Sequence, residues 1–410
     1  MPRKANAKIP KTRLPFLEGI RGLAALYVVL GHISTLSDPS TVSGRTSHAP
    51  EWLQRIMSWF SYGHLAVAAF IVISGFCLEL SLFAHENGVL HSVKRFYKRR
   101  AQRILPPYYA CLAISTYVAL RITTHQVGMP FAQYLPVDQT TILTHIFLIH
   151  NFSPAWMYKI NGVLWTIAIE FQLYIVFPLF VLGINRIGRA LTLASVGVVA
   201  YLTIVHVPLA PKLYFWYAPL FVGGMVAAHL ALKPEKLPKL SLAGSAFALA
   251  CACGCYRAVT LGWPIYGSDL FIGFAIAGIC YAMTVAPRGP LYRFLLLQPV
   301  VALGSFSYSL YLMHHPIAQI LYANRPAWAQ GEVSLFFYFV ACLPVILIGC
   351  WAFYRLFERP FMPNKTRAQA TKVRRHAPAG LPLRTYRPPG SQSAQQSSRE
   401  PAATASRKRT

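Results

Sequence analysis

Ten apolar blocks of about 17 to 25 residues, each long enough to cross a bilayer as a helix, constrain this chain more than any other feature. They lie near 15–36, 60–82, 103–121, 163–183, 190–207, 212–232, 240–261, 268–286, 299–321 and 333–357. Inside hydrocarbon every backbone N–H and C=O must be paired within its own segment, so such blocks become helices. Only 12% of the residues are charged, against roughly 25% in soluble globular proteins. The expected fold is therefore an all-α polytopic transmembrane bundle of about ten spans. The stretch "ILTHIFLIH" (142–150) is too short to span and reads as re-entrant or interfacial, an eleventh element if it inserts.

Charge sets the orientation. The formal net charge is +27, and a nucleic-acid partner is one way to use such charge. Here no basic helix interleaved with aromatics appears, which argues against it. The bases instead crowd alternate loops. With the N-terminus inside, the inner loops carry Lys94, Arg95, Lys98, Arg99, Arg100, Arg103, Arg186, Arg189, Lys233, Lys236, Lys239, Arg288 and Arg293. The outer loops carry Arg45, Arg55, Lys159, Lys212 and Arg325. The bias gives a multi-pass protein of the cell inner (plasma) membrane with both termini inside. Residues 1–14 read as a basic cytoplasmic N-terminus, 15–361 as the membrane domain, and the Pro-, Ser- and Gln-rich 362–410 as a disordered basic tail. The first block resembles a signal peptide, but Arg21, His32 and the want of a clear cleavage site make it a retained span. The eight cysteines all fall in apolar blocks and read as small hydrophobes, "CACGC" lacking zinc spacing; no metal site is expected.

Ionisable residues in hydrocarbon are costly and mark candidate sites. Arg21 and His32 are about three helical turns apart, within about 20° around the axis, with Glu18 on the same face and Gly22 and Ala25 close to it. The rise between them is about 16 Å, which sets Arg21 near the cytoplasmic end and His32 deep in the outer half. Counted from their outer ends, Glu170 and His314 reach a matching depth, so His32, Glu170 and His314 are expected in one layer, an acid–imidazole group able to act as general base. On the cytoplasmic side Arg99, Arg100 and Arg103 cluster at i, i+3 and i, i+4, and guanidinium forks suit phosphates. Ser74 and Gly75 form a small pair past which a helix or a cofactor arm can run, and Glu79 is placed to pair with the arginines. A multi-pass transporter with a buried His/Glu relay also accounts for His32 and Glu170, but not for the arginine cluster beside a Ser-Gly path.

Together these stretches resemble acyltransferase family 3, integral membrane O-acyltransferases of the O-antigen-acetylating type. The resemblance covers roughly residues 14 to 362. It runs through Arg21 and His32, then Ser74-Gly75-Phe76, then Arg100, Arg103, Ile104, Pro106 and Tyr108. It continues through Leu164, Trp165, Thr166 (where the family has Ser), Glu170 and Tyr174, and ends with Ser307, Tyr308, Tyr311, Leu312, His314, Glu358 and Pro360. The resemblance implies transfer of an acyl group, usually acetyl, from cytoplasmic acyl-CoA (acetyl-CoA) as donor substrate. The acceptor would be a hydroxyl of a carbohydrate, lipid-linked sugar or small molecule. His32 would be the base, assisted by Glu170 or His314, with Arg21, Ser74, Gly75, Arg99, Arg100 and Arg103 lining the donor path. Some relatives carry a further SGNH-type domain; this chain looks like the stand-alone form.

Overall fold

A computed structural model describes residues 14–38, 40, 46–86, 88–126, 130–210, 213–232 and 237–362. The basic N-terminus before residue 14 and the tail beyond 362 lie outside the described residues. Every expected apolar block is helical over most of its described length, and no strand occurs among the described residues. In chain order the helices are α1 (Pro15–Ser37), α2 (Glu51–Ser58), α3 (Gly63–Glu86), α4 (Val93–Arg121), α5 (Gln139–Ile146) and α6 (Pro154–Met157). There follow α7 (Leu164–Arg186), α8 (Arg189–His206), α9 (Tyr217–Ala231), α10 (Leu237–Thr260) and α11 (Ile265–Val285). The last are α12 (Pro290–Leu295), α13 (Gln298–Ser305), α14 (Ser307–Ala323) and α15 (Glu332–Phe353). The result is the all-α membrane bundle expected from the hydropathy.

Two expectations need adjusting. Among the described residues, seven segments are long and apolar enough to cross a membrane on their own. The other three blocks form α4, whose first turns are basic, and α9 and α14, which have 15 and 17 residues. At 1.5 Å per residue the last two rise only about 22 and 26 Å. The block 299–321 is also two helices, because the chain breaks at Phe306 (φ −123°, ψ 20°). The stretch 142–150 does not span: it forms the end of α5 and leads into a short 3₁₀ turn at His150–Phe152.

Glycines set the helix spacing. A Cβ on Gly75 would fall 2.0 Å from the Phe221 carbonyl oxygen, and one on Gly224 would fall 2.1 Å from that of Val72. Helices α3 and α9 thus cross backbone to backbone through a reciprocal glycine pair, the close packing that small residues permit in membranes. A second crossing joins α1 to α12 and α13: Gly19 faces the Leu295 oxygen, Gly22 faces Gly304, and Gly304 faces the Glu18 oxygen. Helices α1, α3, α9 and α14 are mostly buried, whereas α8 buries only Thr192 and Ala200 and lies at the rim.

The basic segments collect at one end. Phe16 packs on Tyr292, Arg99 bonds Glu86, and Asn185 donates to the Gly88 carbonyl. At the opposite end the segment between α4 and α7 folds over the bundle and covers the start of α7, where Val163, Leu164 and Thr166 are buried.

Candidate active site

The site begins with a pair of histidines from α1 and α14. His314 Nε2 lies 3.1 Å from His32 Nδ1. Their other contacts fix where the protons sit. His314 Nδ1 is 2.8 Å from the Leu310 carbonyl oxygen, which can only accept, so that nitrogen carries hydrogen. In a neutral ring its Nε2 is then an acceptor. His32 Nδ1, 3.0 Å from the Val28 oxygen and facing that acceptor, must be the donor. This leaves His32 Nε2 with a free lone pair. His314 is buried while His32 is half-buried, so the free nitrogen belongs to the accessible ring. A backbone carbonyl and a second imidazole can thus do the orienting that a carboxylate does in general-base sites.

Helix α14 is shaped to present this pair. Pro316 has no N–H, so the Leu312 carbonyl loses its helical partner. Asn161 Nδ2 and Cys111 Sγ replace it, at 3.1 and 3.3 Å. Asn161 also donates to Ser115 Oγ and accepts from the Val163 N–H. At the other end of the helix the Glu358 carboxylate accepts from the backbone N–H and hydroxyl of Ser309, at 3.2 and 2.5 Å, capping the first turn from a distant part of the chain.

Glu170 is not in the histidine layer. Its Oε1 accepts from the hydroxyls of Ser74 and Tyr174, and no hydrogen bond joins it to either histidine. The expected single layer is therefore two. Between them, Thr166 Oγ1 donates to the Tyr311 hydroxyl at 2.9 Å, and the Tyr311 ring lies 6.1 Å from that of His314. Thr166, Glu170 and Tyr174, at i, i+4 and i+8, form one stripe of α7 that leads from the histidines toward the basic end. The depth count failed because α7 starts beneath a covering segment rather than at the bundle surface.

The arginines divide in the same way. Arg21 lies within electrostatic reach of Glu18, Cys77, Tyr174 and Glu170, and Arg100 within reach of Cys77 and Tyr174. These two converge below the Glu170 cluster. The buried Nε of Arg100 has no hydrogen-bond partner among the described residues. Arg99 turns away to pair with Glu86 at 3.0 Å, and Arg103 is exposed, within reach of Glu358. Glu79 does not join the arginines; it pairs with His229 at 3.2 Å. Ser74 faces the site, but Gly75 does not: its open face is filled by Phe221, so it serves helix approach rather than a cofactor arm.

Residues 14–355 match the family model described as an acyltransferase domain. The chain belongs to acyltransferase family 3. It is 25% identical over 391 residues to the O-acetyltransferase OatA of Staphylococcus aureus strain NCTC 8325, and equally to that of strain COL. These alignments cover 87% of the chain but 58% of each relative, so the chain spans under two thirds of their length. No solved structure matches it. In this family-3 chain the expected Arg-to-His stripe on α1 is intact, running from Arg21 at the basic end to His32 at the pair. Asn161 was missed by sequence reasoning, although Pro316 signals a freed carbonyl four residues earlier. Among the described residues, no group of three or more His, Cys, Asp or Glu side chains could hold a metal.

Proposed function

We propose that this chain is an O-acyltransferase of the inner membrane, with both termini cytoplasmic, that moves an acetyl group from acetyl-CoA to a hydroxyl of a carbohydrate or lipid-linked sugar. The observation that supports it most is the free Nε2 of His32, an oriented base on a half-buried ring. Arg21 and Arg100 at the basic end hold the donor's phosphates, guanidinium forks being suited to them. The hydroxyl and carboxylate stripe of Ser74, Glu170 and Tyr174 flanks the path upward. His32 Nε2 takes the proton of the acceptor hydroxyl as its oxygen attacks the thioester carbonyl. The C–S bond breaks, the ester forms, and the proton passes from His32 to the departing thiolate. His314 stays neutral and stabilises the transient imidazolium through its Nε2. General-base help of this kind contributes roughly 10² to 10⁴ in rate.

The test compares base-labile acetyl esters in envelope fractions from cells producing the wild type and His32→Ala. The expected result is loss of the ester at unchanged protein level. Esters that persist in the variant would overturn the assignment.

A further inference from the structure

One turn beyond the histidine pair, α14 carries polar groups with nothing to bind. Both ring nitrogens of His315 and both amide atoms of Gln319 are buried and have no hydrogen-bond partner among the described residues. The two residues are i, i+4 and share a face of the helix. The His315 ring stands edge-on to His32, 5.2 Å between centroids, so this face adjoins the base. What covers it is aromatic: Tyr134 lies 4.7 Å from His315, and Phe131 lies 4.9 Å from Tyr322, the next residue but two after Gln319. Both come from the 3₁₀ turn around Phe131–Gln133, in the segment that folds over the outer end.

Four unpaired polar atoms under two aromatic rings cost a fold stability, which a ligand that pairs with them offsets. We infer that the His315–Gln319 face, under the Phe131–Tyr134 turn, is the subsite for a polyhydroxylated acceptor. Hydroxyl groups beside the reacting one pair with His315 and Gln319, and Tyr134 supplies an apolar ring for a sugar face once the turn lifts. A hydroxylated ligand matches because each hydroxyl both donates and accepts, as an imidazole and a carboxamide together require. This inference rests on the acyl-transfer reading given above.

Gln319→Met and His315→Leu test it, since both keep the bulk and remove the unpaired atoms. With no acceptor present, the purified full-length variants should melt at the same temperature as wild type or about 1–3 °C higher, because a destabilising feature has gone. The affinity for acetyl-CoA, measured by calorimetry, should be unchanged. In producing cells the base-lability assay should show acetyl ester reduced about tenfold or more, the factor for one or two lost hydrogen bonds. Variants that melt lower and retain full ester would mean that the residues are structural. Ester lost together with acetyl-CoA affinity would place them on the donor side. Either result overturns the subsite. Wild-type protein that neither binds acetyl-CoA nor forms ester would instead remove the acyl-transfer reading itself, and the subsite with it.

Discussion

Single residues here act through what they deny or restore to the backbone. Asn161 answers the carbonyl that Pro316 frees, and Asn161→Leu leaves that oxygen to Cys111 alone. The expected cost is about 1–3 kcal/mol, read as a lowered melting temperature, with transfer slowed because α14 carries His314. Gly75→Ala should be worse than an ordinary surface change. Its Cβ would meet the Phe221 oxygen at 2.0 Å, and overpacking costs about 1–3 kcal/mol or more. The arginines give a contrasting pair. Arg100→Ala should raise the KM for acetyl-CoA by about tenfold to a hundredfold, the worth of a charge-assisted contact, while Arg99→Ala, already committed to Glu86, should change it little. Arg21, His32 and His314 are legible as candidate site residues because a charge or an imidazole in an apolar helix has few other uses. Asn161, His315 and Gln319 were not singled out, because what marks them is a partner gained or lacking in three dimensions.

Whole elements show where sequence reading stops. Hydropathy marks every long helix, since burial in hydrocarbon and burial in protein select the same residues. It cannot see the break at Phe306, two residues past the close approach of Gly304 to Glu18, nor the cap that Glu358 places on α14. It also set Glu170 one layer too high, because a rise counted from a helix end assumes that all helices end in one plane. The turn from α5 to the following 3₁₀ helix makes a separate prediction. His145 and His150 stack there with ring centroids 3.8 Å apart, both buried. Burial pushes His145 down to about 4, against a hydrogen bond from its ring to the Thr141 carbonyl, and pushes His150 well below its ordinary value. Both rings are therefore neutral in the fold, while the unfolded chain takes up protons near pH 6.5. The unfolded state binds more protons below that pH, so stability should fall as pH drops from about 6.5 toward 4, by on the order of 3 kcal/mol for His145, and level off beneath. Melting curves against pH should show the slope, and the His145→Phe/His150→Phe double variant should make it shallower than in the wild type.

At the scale of the molecule, two glycine crossings fix α1 against α13 and α3 against α9, and the site occupies the space these helices share with α7 and α14. Arg21 and Arg100 lie toward the basic end and the unpaired polar face toward the other, with the histidine pair between. Direct transfer across that pair predicts that purified enzyme given radiolabelled acetyl-CoA and no acceptor retains no label on the protein after denaturation. Stable label on His32 or Ser74 would replace the direct route by a covalent one. The proton arrangement of the pair has one more consequence. His32 is anchored through Nδ1, so on the proposed direct route it works only through Nε2 and returns to the departing thiolate the proton it took from the hydroxyl. An acetyl group and a hydrogen change places, and no net charge crosses the bilayer. Transfer by this route is an electroneutral exchange driven by thioester cleavage, and its rate in sealed vesicles should be indifferent to membrane voltage and to a proton ionophore.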